Sequence, residues 1–170
     1  DSGLRNFGGY DSIIIKYNKY GKEKWSRSQG GSGNDYLKGV VETSDKSLVT
    51  AGYSNSTDGG FINNGGNDAV VSKYDKNGNL IWIKSFGGSG DDYFYDITAT
   101  QDNGVVAVGS GNSIDTEIAN AGGIDAIIVK YDSEGNQVWA KGISGLKTES
   151  LNSVTEMKNG DILVSGYSIS

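Results

Sequence analysis

Gly65-Gly66-Asn67-Asp68-Ala69-Val70-Val71-Ser72-Lys73-Tyr74-Asp75-Lys76-Asn77-Gly78-Asn79-Leu80-Ile81-Trp82 decides the fold, because much of this stretch is written twice more in the chain. Trp25, Trp82 and Trp139 are 57 residues apart. The same shift aligns Gly8-Gly9, Gly65-Gly66 and Gly122-Gly123, the acids Asp11, Asp68 and Asp125, and Gly52, Gly109 and Gly166, with no gap. It also aligns Lys16-Tyr17, Lys73-Tyr74 and Lys130-Tyr131. A fixed period of this length marks a repeat architecture. Repeats 1–57, 58–114 and 115–170 take up all 170 residues, so one domain, 1–170, is expected.

The apolar runs within a repeat are short and rich in β-branched and aromatic residues: 69–74, 80–84, 93–100 and 105–109 in the second copy. They read as four strands. The first two are joined by Asp75-Lys76-Asn77-Gly78-Asn79, with Gly21, Gly78 and Gly135 always where a hairpin needs a positive φ. The last two meet at Ser44-Asp45-Lys46-Ser47, Gln101-Asp102-Asn103-Gly104 and Lys158-Asn159-Gly160-Asp161, again hairpin composition. With 27 glycines, no proline and no helical periodicity, the chain is expected to be all-β.

Composition removes much familiar chemistry. There is no cysteine and no histidine, so disulfides, thiolate metal sites and the usual catalytic base are all absent. The 15 basic against 21 acidic residues give a net charge of −6, which lacks the footprint of a nucleic-acid or anionic-membrane binder. No apolar run approaches the ~20 residues that a membrane helix requires, so no membrane insertion is expected. The chain opens on Asp1 and its only methionine is Met157, which suggests ends made by processing.

A four-stranded meander that recurs and cannot cover its own faces describes a β-propeller blade. The stretch 65–82, followed by Gly87-Gly88-Ser89-Gly90-Asp91-Asp92-Tyr93 and Asp102-Asn103-Gly104-Val105-Val106-Ala107-Val108-Gly109, resembles the bacterial secreted β-propeller repeat family across all three copies. The third copy departs from it, with Ser144-Gly145-Leu146-Lys147-Thr148-Glu149 in place of the glycine-acid run. The resemblance implies a propeller, a location outside the bacterial cell or on its surface, and no single activity. It also implies that the innermost strand follows the glycine-acid run. Strands at 36–43 and 47–53 then join 69–74 and 80–86 in one blade, and 93–100 and 105–109 join 126–131 and 137–143 in the next. An outer pair at 12–29 and an inner pair at 150–167 are left as halves of a split blade. Propellers usually close with about four to eight blades. Three blades therefore need more, supplied by a second chain in a six-bladed dimer, by a head-to-tail filament, or by flanking repeats of a longer protein.

A meander places its two hairpins on one side and its longer loops on the other. On the loop side, Asp35, Asp91, Asp92, Glu149 and Asn112 are candidate ligand-binding residues. Asp1, Asp58 and Asp115, with Asn6, Asn63 and Asn120 and with Asp11, Asp68 and Asp125, recur at spacings of five. Such oxygens suit Ca²⁺, but equally cap turns through the backbone, and the spacing matches no established calcium loop. Asp75, Asn77 and Asn79 imitate an EF-hand start, but Tyr20 and Lys22 fill two of the matching positions and Phe86 stands where the bidentate Glu belongs, so a hairpin is expected. Trp25, Trp82 and Trp139 are read as core between blades rather than as a sugar platform. Lys16, Lys73 and Lys130 are read as structural, paired with a carboxylate such as Asp92 or snorkelled to solvent.

No nucleophile has a base beside it, and no catalytic residue is assigned. Asp35, Asp92 and Glu149 at the starts of inner strands are the only carboxylates placed for glycosidase or lyase work. The expected function is a non-catalytic extracellular binding, adhesion or scaffold module that recognises a protein or glycan. A self-assembling structural subunit is the alternative.

Overall fold

The computed structural model describes residues 4–118 and 122–169. Among them are twelve strands and no helix: β1 (Ser12–Tyr17), β2 (Glu23–Gln29), β3 (Asp35–Glu42), β4 (Leu48–Ser54), β5 (Asp68–Tyr74), β6 (Leu80–Phe86), β7 (Asp92–Ala99), β8 (Val105–Gly111), β9 (Asp125–Tyr131), β10 (Gln137–Ile143), β11 (Glu149–Glu156) and β12 (Ile162–Ser168). They form four antiparallel sheets, β1-β2, β3-β4-β5-β6, β7-β8-β9-β10 and β11-β12. Each four-stranded sheet draws two strands from one repeat and two from the next. The first and last pairs stand alone as two-stranded sheets, the grouping expected from the sequence. Strand ends shift by one or two residues from the expected bounds; β8 runs on to Gly111 because that residue pairs with Asp92 and Asp125.

Both intact sheets share one register. Leu48 opposes Tyr74 and Ser54 opposes Asp68, and one repeat later Val105 opposes Tyr131 and Gly111 opposes Asp125. The inner pairs β3-β4, β7-β8 and β11-β12 all shift register, at Leu37/Gly39, Phe94/Asp96 and Leu151/Ser153. This bulge leaves Lys38, Tyr95 and Asn152 as the extra residues. Opposite it, a Cβ on Gly52, Gly109 or Gly166 would stand 1.8 Å from the carbonyl oxygen of Tyr36, Tyr93 or Ser150. No side chain fits there, which explains that periodic glycine.

The hairpins follow their turn chemistry. Gly21, Gly78 and Gly135 have φ of 78°, 80° and 79°. The Asp75 carboxylate accepts the amide N–H of Asn77 and of Asn79, each at 2.8 Å, and Asn18 Oδ1 does the same for Tyr20 and Lys22. The EF-hand-like spacing is thus a turn cap.

The sheets pack in series through their inner strands. β7 lies on β3, β4 and β5, β11 lies on β7, β8 and β9, and β1 touches β3. Strand β8 is apolar on both faces, so period-two alternation sends Val105 and Ala107 into one core and Val106 and Val108 into the next. Val49, Val71, Phe94, Ile97 and Val129 belong to the first core, and Leu151 and Val154 to the second. Each such side chain contributes about 1.5–3 kcal/mol by leaving water.

The tryptophans are half-buried between sheets, with Trp82 packed against the first core and Trp139 against the second. They sit on the outer strands β2, β6 and β10, where the neighbouring sheet offers only a hairpin: Trp25 lies on Gly78 and Trp82 on Gly135. The expected lysine partner needs correction: the lysines are paired, but not with Asp92. Buried Lys73 reaches Asp45 at 3.1 Å and donates to the Ser133 carbonyl at 3.1 Å, and Lys130 pairs with Asp102. Asp92 begins β7 on the loop side, whereas these ion pairs lie at the hairpin ends. Lys16, on the edge strand β1, has no such hairpin beside it among the described residues.

Candidate functional site

The five connections β2–β3, β4–β5, β6–β7, β8–β9 and β10–β11 emerge on one side, and the polar candidates gather there. Most of them are spent on the loops themselves. Asp35 is buried, and its carboxylate accepts the Gly31 N–H at 2.8 Å and the Ser56 hydroxyl at 2.9 Å, with the Ser54 hydroxyl on its other oxygen. Asp92 repeats this with the Gly88 N–H at 3.1 Å and the Ser113 hydroxyl. Glu149, also buried, accepts the Ser168 hydroxyl at 3.0 Å. As ligand-binding residues these three are therefore corrected: each is turned inward, Asp35 and Asp92 tying a long loop to a glycine loop and Glu149 holding the end of β12 through Ser168.

The remaining candidates are stitches in the same lattice. Asn112 Oδ1 accepts the Asp91 N–H at 2.6 Å, as Asn55 does for Asn34. Asp91 itself accepts both the backbone and the side-chain N–H of Asn67, each at 2.8 Å, and these bonds hold its carboxyl below the usual carboxylate range. Asp58 caps Ser32 at 2.7 Å and Asp115 caps Ser89 at 2.8 Å. Asn6 and Asn63 donate to the carbonyls of Gly9 and Gly66 three residues on. Asp11 and Asp68 accept the N–H four residues back, from Phe7 and Asn64, and Asp125 accepts from Gly145 at 3.4 Å. The proposed oxygen set is thus divided among separate amide bonds, and among the described residues no group of three or more Asp, Glu, His or Cys is arranged to hold a metal ion. Asp1 and Asn120 lie outside the described residues.

Three of these acids keep a buried oxygen without a hydrogen-bond partner, Asp11 Oδ1, Glu149 Oε2 and Asp68 Oδ1, and Asp68 is the most enclosed of them. It is fully enclosed with Oδ1 unpartnered, and Gly87 lies between that oxygen and Asp92 Oδ2. Burial raises its pKa to about 6, with Asp92 adding to the rise; burial likewise pushes Asp92 upward. A like-charged buried pair of this kind resists double ionisation.

What the sequence did not reveal is a row of tyrosines on this side. Ring centroids lie 5.9 Å apart for Tyr10 and Tyr36, 5.0 Å for Tyr36 and Tyr53, 4.7 Å edge-on for Tyr53 and Tyr93, and 6.1 Å stacked for Tyr93 and Tyr95. The bulge supplies Tyr95 and also Lys38, whose ammonium stands 5.7 and 5.4 Å from the rings of Tyr36 and Tyr53. Asn67 donates to the Tyr93 hydroxyl at 3.3 Å. Desolvation, and then the neighbouring hydroxyls of Tyr53 and Tyr10, raise the Tyr36 pKa. Tyr10 is exposed, and Tyr36, Tyr53, Tyr93 and Tyr95 are half-exposed. The clearest signal in the sequence is the pair Tyr36 and Tyr93, 57 residues apart. Tyr10 and Tyr95 align with Asn67 and Lys38, so the period hides them, and Tyr53 aligns with Ser110 and only two repeats on with Tyr167.

No protein-family model and no curated protein matches the chain. Among solved structures it is similar to a Bacteroides caccae protein of unknown function, with a TM-score of 0.50 at 11% identity, covering 87% of this chain and 44% of that one. The likeness concerns the fold alone, and this chain spans less than half of the neighbour's length.

Proposed function

We propose that the four sheets are blades of a β-propeller, and that the protein is a non-catalytic binding and scaffold module outside the bacterial cell or on its surface. It meets a neutral glycan on the loop side. The tyrosine row supports this most directly: aromatic faces stack on the apolar faces of sugar rings, while phenol hydroxyls and Lys38 offer hydrogen bonds. The net charge of −6 disfavours anionic polymers. The carboxylates that catalysis would need are buried in loop contacts. Serial packing of sheets through their inner strands supports the propeller.

The test is a binding panel of neutral oligosaccharides, anionic polysaccharides and extracellular proteins, run on the wild type and on Tyr36→Ala and Tyr93→Ala. A neutral glycan that binds and is weakened at least tenfold in both variants is expected. A protein ligand unaffected by these changes, or turnover of a polysaccharide that Asp92→Asn abolishes, would overturn the reading.

The two-stranded end sheets favour a second role, assembly, because unpaired strand edges are templates for strand addition.

A further inference from the structure

We infer that a second copy of this chain completes both end sheets: β12 of each copy pairs with β1 of the other, closing two chains into a ring of six four-stranded sheets. This rests on the propeller reading above and names its partner.

The repeat allows each end residue to be compared with its two counterparts inside the molecule. On β1, Tyr17 is 55% exposed, whereas Tyr74 and Tyr131 are 3% exposed. On β12, Leu163 is 58% exposed, against 1% for Val49 and 0% for Val106. On β3, which has no complete sheet before it, Val40 is 59% exposed, against 4% for Ile97 and 7% for Val154. These residue types are buried wherever a neighbouring strand pair is present and bare only where one is missing. In front of β3 lies an open groove of 210 Å³ lined by Ile13, Ile15, Leu37 and Val40. It occupies the place that β3-β4 fill beside β7.

The missing pair is specified by the chain itself. β12 corresponds to β4 and β8, and β1 to β5 and β9, so the shared register sets Ile162 opposite Tyr17, Ser165 opposite Ile14 and Ser168 opposite Asp11. Trp25 covers Gly78 and Trp82 covers Gly135, yet nothing lies within 4 Å of the corresponding position on Gly21. In the pair, Trp139 of one copy covers Gly21 of the other. β1 and β12 lie at opposite ends of the series of sheets, so one chain does not join them to each other. The second copy also extends the candidate site: Tyr167 aligns with Tyr53 and takes, against Tyr36, the edge-on place that Tyr53 takes against Tyr93.

Light scattering of the wild-type chain at micromolar concentration tests this. A mass twice that of the 17.9 kDa chain is expected. Val40→Glu and Leu163→Glu, both at surface positions of the single chain, should each give a monomer with unchanged far-ultraviolet circular dichroism, while Ile114→Glu, on an exposed loop, should leave the doubled mass intact. A wild-type monomer, an open-ended series of polymers, or a dimer indifferent to both Val40→Glu and Leu163→Glu would overturn the inference. The glycan panel is read separately: a monomer that still binds through Tyr36 and Tyr93 overturns the second copy and leaves the binding function standing.

Discussion

The indole of Trp82 lies so close to Gly135 that a Cβ on the glycine would meet it at 2.9 Å. Gly135 has φ of 79° and Gly21 has φ of 78°, so the two hairpins share the same backbone strain on substitution. They differ in what lies above them. Gly135→Ala should therefore cost about 3 kcal/mol, from left-handed backbone strain plus displacement of the indole. Gly21→Ala should cost the isolated chain only about 1–2 kcal/mol from the backbone term. Urea titrations of both variants, the second in the Val40→Glu background, make the comparison.

Lys73 is buried while its partner Asp45 is partly exposed. Its hydrogen bond to Thr43, followed by those to Ser47 and Lys73, holds the Asp45 carboxyl far below the usual range. Removing the acid leaves a buried ammonium without its counter-charge and with only the Ser133 carbonyl to accept from it, whereas replacing the lysine by an apolar chain leaves no buried charge. Asp45→Ala should cost about 1.5–3 kcal/mol, and Lys73→Met less than 1.5 kcal/mol. Thermal melts that rank the two the other way would show that the ammonium is not held by Asp45.

Asp68 gives stability a definite pH dependence. Its folded pKa of about 6 stands above the ordinary aspartate value of 3.8, so the folded state binds this proton more tightly. Its contribution is fully present below the unfolded value and is lost as pH rises through about 6. Asp102 acts in the opposite sense. Lys130 depresses its pKa to about 2, so its contribution is present above 3.8 and is lost as pH falls toward 2. Stability should peak between about pH 4 and 5 and decline toward neutrality. Asp68→Asn should flatten the upper limb and raise stability at neutral pH by roughly 1–3 kcal/mol, measured by denaturant titration across that range.

The second hairpin type places Lys46, Asn103 and Gly160 in the left-handed region, with φ of 68°, 66° and 88°. Glycine is the unstrained choice, and only the third repeat has it. Lys46→Gly should raise the melting temperature, corresponding to about 1 kcal/mol of relieved strain less the added freedom of the unfolded chain. Lys46 forms only an exposed ion pair with Glu42, so little is lost in exchange.

The repeat made the strands and their grouping legible because strand length, turn chemistry and periodic glycine all agree in the sequence. It even foretold the bare edges at β1 and β12. The lysine partners were obscured because Asp45 and Asp102 precede Lys73 and Lys130 by 28 residues, a distance that becomes contact only once β4 is hydrogen-bonded to β5. The loop acids looked like ligands because sequence shows where a carboxylate lies along the chain, not which amide it faces. Asp35 and Asp92 are turned inward by the serines of the following loop. The tyrosine row was hidden because its members come from different repeat positions and meet only where sheets stack.

A register-specific disulfide tests the two-copy ring most directly, since the chain has no cysteine of its own. The pairing sets Ser165 opposite Ile14, so the double variant Ile14→Cys/Ser165→Cys should oxidise to a covalent dimer joined between chains. The frame-shifted Ile14→Cys/Val164→Cys should remain mostly reduced, because its side chains point to opposite faces of the sheet. Equal cross-linking of both variants, or of neither, would contradict the proposed junction.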